Sequence, residues 1–370
     1  MTIDISIPRN DLSKMLSRAS SAVAHKSPQA VMQCALIEAA DGALTVSGTD
    51  SFVSIRSTSN ATVKKPGRIC VDARKAADVV KNLPAGDVRV LVKDGAAFFS
   101  SAKSKTKLAT VDAEAFPPLP TTSNATLIAK IDCDVLSRLI AQGTYAQATD
   151  DTRAFLCVGL LDIADDSATM VSTDGNRLAL AVTKMAHGPA TKIAIPARGL
   201  GELKRLCESL KGGTVELYKH GAMMLVSSSD ATLSIQLGDE SQFPPYQRII
   251  PKSFAHRVTF SRDMLMDALK RASLVAAAVK AGRVRLEFSD GELAILAESE
   301  ADSADERIEC DATFALTIGV GSTFLSQALV TLMTDEVTLD LGGDLDPIVV
   351  RGVSDDSAYS VVMPMRIANV

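Results

Sequence analysis

One alternating pattern occurs three times in this chain, at a spacing that suits a domain. Ser167–Leu180 reads SATMVSTDGNRLAL, Asp41–Asp50 reads DGALTVSGTD and Asp290–Ser299 reads DGELAILAES. Leu44, Ala168 and Leu293 correspond, as do Val46, Met170 and Ile295, at offsets of 124 and 125 residues. Solenoid units recur every ~20–50 residues, so this period is not theirs. A second block, Ile69-Cys70-Val71, Ile193-Ala194-Ile195 and Ile318-Gly319-Val320, keeps the same offsets. Two independent blocks in one phase mean a triplicated domain, with boundaries expected at 1–122, 123–252 and 253–370. Copies of about 120 residues can each bury a core. The central copy reads as carrying an extra Gly175-Asn176-Arg177-Leu178 after Asp174, and function is expected beside it.

Each third repeats one order of elements, an α+β pattern of strand, helix and alternating strands. Leu12, Leu136 and Leu265 open three apolar helical faces, and Leu16, Ile140 and Leu269 follow one turn later. Asp11 reads as the cap of the first. Further helices are expected over Ala73–Leu83, Leu200–Leu210 and Phe324–Met333. Proline-rich joints, Phe116-Pro117-Pro118-Leu119-Pro120 and Phe243-Pro244-Pro245-Tyr246, end the first two copies, and Met363-Pro364 stands at the matching place in the third.

The residues that do chemistry are scattered. The four histidines, His25, His187, His220 and His256, have no HExxH or HxH spacing. The six cysteines show no CxxC pair and read as small core residues of a reducing compartment. Gly342-Gly343-Asp344-Leu345-Asp346 lacks the downstream glutamate of a calcium loop, and Gly212-Gly213 has no GK[ST] after it. No catalytic residue, metal or cofactor is expected. MTIDISIPRND has no basic start leading into an apolar stretch, and Ile318–Met333 is too short and polar for a span, so a cytoplasmic protein without membrane contact is expected.

Charge is distributed unevenly. The chain carries a net −5, with acidic runs at turns such as Asp150-Asp151 and Asp302–Glu306. Cations concentrate on five of the six expected helices: Arg9, Lys14 and Arg18, then Lys75 and Lys81, Arg138, Lys204 and Arg205, and Lys270 and Arg271. Such a face would touch phosphates without reading bases.

Three tandem strand–helix copies, Thr173-Asp174-Gly175-Asn176-Arg177-Leu178-Ala179, Phe243-Pro244-Pro245-Tyr246-Gln247-Arg248-Ile249-Ile250-Pro251 and Val361-Val362-Met363-Pro364-Met365-Arg366 together resemble the bacterial DNA polymerase III β subunit, the sliding-clamp family, over the whole chain. The resemblance implies three tandem copies of the DNA-clamp fold in a head-to-tail homodimer, a ring with helices lining the hole and sheets outside. It implies a non-catalytic processivity factor that encircles double-stranded DNA without sequence preference. It also implies a pocket for clamp-binding peptides of the replicative polymerase subunit, the clamp loader and other partners. That pocket would be lined by Leu156, Thr173, Gly175, Arg177, Leu178, Pro244, Arg248, Ile249, Val361, Met363, Pro364 and Met365. Arg153 joins the DNA-facing set, and the ring joint falls on Lys75, Thr106, Leu108, Leu274 and Val275. Ala368-Asn369-Val370 runs past the family's usual end, toward the pocket mouth. A second reading is a clamp-fold adaptor that binds peptides without encircling DNA.

Overall fold

A computed structural model describes residues 3–164, 166–185, 189–276 and 282–367. His187 and the extension Ala368-Asn369-Val370 lie outside the described residues.

The chain divides into two compact units, Met1–Leu136 with Arg198–Leu237, and Ser137–Ala197 with Gly238–Val370. The cut falls inside the central repeat because neighbouring repeats share sheets. In the first unit Val53–Asn60 of the first repeat pairs antiparallel with Ala231–Gln236 of the second. This joins their strands into one thirteen-stranded sheet. In the second unit Arg177–Lys184 of the central repeat pairs antiparallel with Asp355–Val362 of the third, within an eight-stranded sheet. A four-stranded sheet, bounded by Ser303–Glu309 and Leu316–Gly321, completes that unit. The described strand pairs are antiparallel, which lets hairpins carry the chain between neighbours.

Six α-helices appear among the described residues: α1 Arg9–Ala22, α2 Ala73–Asn82, α3 Cys133–Gly143, α4 Ala197–Ser209, α5 Arg262–Ala276 and α6 Ser322–Thr331. α1 begins at Arg9 after Pro8, two residues ahead of the expected cap. Asp11 lies in its first turn and no side chain caps it. Acid there still suits the partial positive charge of a helix start. α2 is capped by Asp72, which accepts from the Lys75 amide at 2.9 Å. The core of the first repeat is aliphatic, with Leu12, Leu16, Ile37, Leu44, Val46, Ile69 and Val90 packed around Phe99. With 4% aromatics, branched aliphatics must fill the interior.

Four cysteines, Cys34, Cys70, Cys133 and Cys207, are buried and two are half-exposed. Burial pushes the Cys34 thiol up to about 11 and Cys70 to about 12, so neither carries a reactive thiolate at neutral pH. No described helix is long and apolar enough to cross a membrane.

Candidate functional site

The organising block folds as two strands, Ser167–Thr173 and Arg177–Lys184, joined by a tight turn. The Asp174 carboxylate accepts from the amides of Asn176 (2.9 Å) and Arg177 (3.1 Å). Thr173 Oγ1 donates to the Arg177 carbonyl at 2.6 Å and accepts from the Gly175 amide at 3.1 Å. Gly175 sits at φ +88°, where a glycine is the least strained choice.

The first repeat builds the same turn. Asp50 accepts from Phe52 (3.0 Å) and Val53 (2.8 Å), while Thr49 Oγ1 donates to the Val53 carbonyl and accepts from the Ser51 amide. In the third repeat Ser299 Oγ accepts from the Asp302 amide at 3.0 Å. The expected insertion in the central copy is therefore absent. All three turns have one length, and the first and central copies also share a positive φ at the residue after the aspartate, 78° at Ser51 and 88° at Gly175. Alignment by residue type hid this, because Ser51-Phe52-Val53 shares no side chain with Gly175-Asn176-Arg177.

The turn is bound to the end of the chain. Leu178 lies across from Val361, and the Met363 amide donates to the Asn176 carbonyl at 2.8 Å. The Met365 amide then donates to the Gly319 carbonyl at 2.7 Å, pinning the terminal segment to the strand Leu316–Gly321. Leu178 and Val361 share one apolar cluster with Phe243 and Tyr246, the residues on either side of Pro244-Pro245. Leu156 closes a short 3-10 segment, Asp151–Leu156, whose Arg153 Nη1 reaches the Asp174 carbonyl at 2.9 Å. Arg153, expected among the DNA-facing cations, is thus tied to the turn. Leu156, Thr173, Leu178 and Val361 are buried; Pro244, Met363, Pro364 and Met365 are half-buried; Gly175, Arg248 and Ile249 are exposed. This gradation, a buried floor under a partly open apolar rim, is what a peptide-docking surface needs.

Arg177 is held in a cage. Its side chain is 11% exposed, with Nε 3.1 Å from Asp174 Oδ2. Nη1 donates to Gln327 Oε1 and Nη2 to the Tyr145 carbonyl at 3.4 Å. The guanidinium lies 4.7 Å from the centroid of Phe324 and 5.7 Å from that of Tyr145. Tyr145 is itself anchored by a hydrogen bond between its hydroxyl and Ser360, and burial pushes its phenol up to about 12. Sequence reading missed Tyr145, Phe324, Gln327 and Gly319. The repeat offset offers a signal for two of them, since Ser21 and Glu202 stand at the matching positions to Tyr145 and Gln327.

The helix cations are less free than their sequence suggests. Lys14 Nζ lies 2.7 Å from Asp230. Arg18 is only 8% exposed, donating to Ser209 at 2.8 Å, with Nη1 3.1 Å from Asp230 as an ion pair outside hydrogen-bond alignment. Burial opposes the Asp230 charge, but the Lys14 hydrogen bond and the Arg18 charge outweigh it and hold the carboxyl below its usual range. Arg205 pairs with Glu202, Lys204 with Glu208 and Arg271 with Glu306. Arg9 donates to the Leu83 carbonyl. Arg138 and Lys270 are exposed.

Of the residues expected at a ring joint, Leu274 is 77% exposed on α5, while Val275 and Leu108 are half-buried. Lys75 is exposed and Thr106 half-buried. Thr106 and Leu108 lie on Ser104–Val111, which pairs with Ala96–Ser101 along its length but meets Gly67–Asp72 only at Thr110 and Val111. Among the described residues, no cluster of His, Cys, Asp and Glu is suited to a metal.

Comparison with known proteins decides the family. Residues 3–120, 130–244 and 247–366 match the family models for the N-terminal, central and C-terminal domains of the DNA polymerase III beta subunit. The chain belongs to the DNA polymerase III β subunit family. Its relatives include the beta sliding clamps of Pseudomonas putida, 28% identical over 98% of this chain and 99% of that protein, and of Escherichia coli K12, 26% identical over 98% and 99%. The Pseudomonas aeruginosa clamp bound to griselimycin is 26% identical, with a TM-score of 0.92 over 99% of this chain and 100% of that one. The Thermotoga maritima beta subunit, at 22% identity, shares the fold with a TM-score of 0.93. In function this β subunit is a sliding clamp, a subunit without catalysis of its own.

Proposed function

We propose that this clamp closes as a head-to-tail homodimeric ring around double-stranded DNA and tethers proteins that carry clamp-binding peptides. The three clamp domains run over 1–122, 123–252 and 253–370, and the protein works in the cytoplasm. The observation that carries the reading is the joining of Thr173–Leu178 to Val361–Met365, which puts an apolar floor and a polar turn side by side. Its occupants are peptides of the replicative polymerase subunit, the clamp loader and other partners. Leu156, Leu178, Val361, Met363 and Met365 receive leucine and phenylalanine side chains, with Met adapting to varied shapes. Thr173, Gly175, Pro244 and Pro364 shape the walls, and Arg177, Arg248 and Ile249 form the rim. Burying about 300 Å² of apolar surface yields ~7 kcal/mol gross at ~25 cal/mol per Å². Association costs reduce this to roughly micromolar affinity, which suits partners that exchange.

Duplex DNA passes through the ring, contacted by exposed Arg138 and Lys270 and by Arg9, Lys14, Arg18, Arg153, Lys204, Arg205 and Arg271 as their partners allow. A closed ring retains DNA topologically, so weak phosphate contacts suffice and sliding stays free. The joint forms between Lys75, Thr106 and Leu108 of one subunit and Leu274 and Val275 of the next. Open strand edges support it: Ser104–Ala109 carries Lys105 and Lys107, whereas Ser303–Glu309 carries Asp305, Glu306 and Glu309 against the single cation Arg307, and stays net acidic although Asp305 pairs with Arg307 and Glu306 with Arg271. Opposite charge on two unpaired edges favours their meeting over self-pairing of either.

Electron microscopy of the purified protein at a concentration of known native mass tests the proposal. Closed rings of two-chain mass, with a hole wider than a duplex, are expected. Monomeric crescents would overturn the ring and leave the peptide-binding adaptor.

A further inference from the structure

The guanidinium cage around Arg177 has a counterpart in the first unit, filled by an arginine from a different place in the chain. Arg198, at the start of α4, puts Nε 3.1 Å from the outer oxygen of Asp50, donates Nη2 to the Ser21 carbonyl and pairs Nη1 with Glu202. Asp50, Ser21 and Glu202 are the repeat equivalents of Asp174, Tyr145 and Gln327, offset by 124 or 125 residues. Both guanidinium groups therefore answer to the same three positions: the turn aspartate, a carbonyl just after or at the end of the first helix, and one residue of the later helix.

The cages differ in charge. Arg198 faces two carboxylates, and Glu202 is 2% exposed, further held by Ser21 Oγ at 2.7 Å and by Arg205 at 3.3 Å. Arg177 faces one carboxylate, because Gln327 supplies a neutral acceptor. The bond from Arg177 to Gln327 is charge-assisted on the donor side alone, so it is weaker than the pairing of two ions that Glu202 gives Arg198. The Nη1 of Arg177 can leave Gln327 for another acceptor at small cost, while Asp174 keeps Nε in place.

We infer that Gln327 tunes the affinity of the pocket, by holding Arg177 through a neutral acceptor that a carbonyl or carboxylate of the docked peptide replaces. This rests on the pocket reading above. Gln327 is a positioning residue, since it acts through Arg177. A glutamate there, the residue that the first repeat uses, keeps Arg177 turned inward.

The test uses the full-length dimer and a fluorescein-labelled pentapeptide with two leucines, a phenylalanine and a free C-terminal carboxylate, read by anisotropy. Gln327→Glu is expected to weaken binding about tenfold, whereas Gln327→Met, of similar length but without the acceptor, binds as tightly as the parent or tighter. If Gln327 merely supports the fold, Gln327→Met weakens binding as much as Gln327→Glu does, or Gln327→Glu leaves it unchanged; either result overturns the inference. Ile249→Glu separates the two levels. Should this rim change leave binding intact, the pocket reading itself fails; should it abolish binding while the Gln327 variants match the parent, only the role of Gln327 fails. Native mass and far-UV circular dichroism of each variant confirm that the dimer and fold persist.

Discussion

Gly319 and Met365 meet backbone to backbone: the Met365 amide donates to the Gly319 carbonyl at 2.7 Å, and a Cβ built on Gly319 would lie 2.4 Å from the Met365 carbonyl oxygen. It would also sit 3.0 Å from the Ile367 side chain. No rotamer relieves a clash with a Cβ, so the terminal segment must move away. Gly319→Val is expected to free Met363–Ile367 from the strand and to weaken the labelled pentapeptide at least tenfold. The rest of the fold should persist, since Ile318 and Val320 keep their buried places. Isothermal titration with the peptide, beside the native mass, checks this; unchanged affinity would remove the terminal segment from the pocket.

Arg198 and Arg177 fill equivalent cages and predict opposite phenotypes. Arg198→Ala leaves buried Glu202 with Arg205 as its remaining cation and Asp50 with none of its present ion partners. A destabilisation of ~1–3 kcal/mol is expected from a carboxylate left poorly compensated. Peptide binding should be unaffected. Arg177→Ala is expected to abolish partner binding while the dimer persists. Urea unfolding midpoints and peptide titrations on the two variants read these effects side by side.

Much of this was legible in the sequence for a simple reason. A repeat of two independent blocks in one phase leaves few alternatives, and the alternation of Ser167–Thr173 and its equivalents marks strands directly. The motif residues Thr173, Arg177, Leu178 and Met363 carried the resemblance because the chemistry of the turn is local. What stayed hidden is what the fold joins over long separations. Gln327 lies 150 residues from Arg177, and Gly319 meets Met365 only because two sheets share the terminal segment. The supposed insertion after Asp174 came from comparing side chains where the backbone hydrogen bonds are the same. Sequence charge also leaves out pairing over long separations, since Asp230 reaches Lys14 and Arg18 from 200 residues or more away.

Asp230 makes the DNA contribution of α1 testable. Its folded carboxyl is held below the unfolded value of about 4. Its stabilising contribution is therefore fully present above that value and is lost as pH falls through the lower, folded one. The stability difference between the parent and Asp230→Asn should be seen at pH 7 and vanish in strong acid. At neutral pH the same change releases Lys14 and Arg18, so affinity for a short labelled duplex at low salt should rise. The slope of log K against log salt should then steepen by about 1–2, at ~0.9 per phosphate neutralised. An unchanged slope would make Lys14 and Arg18 structural cations and move the DNA face to Arg138 and Lys270.

The proposed ring joint makes the sharpest demand on the exposed face of α5. Leu274 is 77% exposed in the single chain, a large apolar side chain with no burial of its own, and half-buried Val275 follows it. Leu108, half-buried against the core of the first repeat, lies on the strand whose Ser104–Ala109 edge is open. Burial of one leucine contributes about 1.5–3 kcal/mol, and the proposed ring contains two joints. Leu274→Ala with Val275→Ala is therefore expected to give monomers at micromolar concentration. The charged edges predict a second, separable effect: Lys105→Glu with Lys107→Glu should weaken the dimer most at low salt, because screening at ~10 Å in 0.1 M salt already dampens exposed pairs. Native mass spectrometry and sedimentation across a salt series distinguish the two. A two-chain mass for the Leu274/Val275 variant at all concentrations would place the joint elsewhere on the molecule.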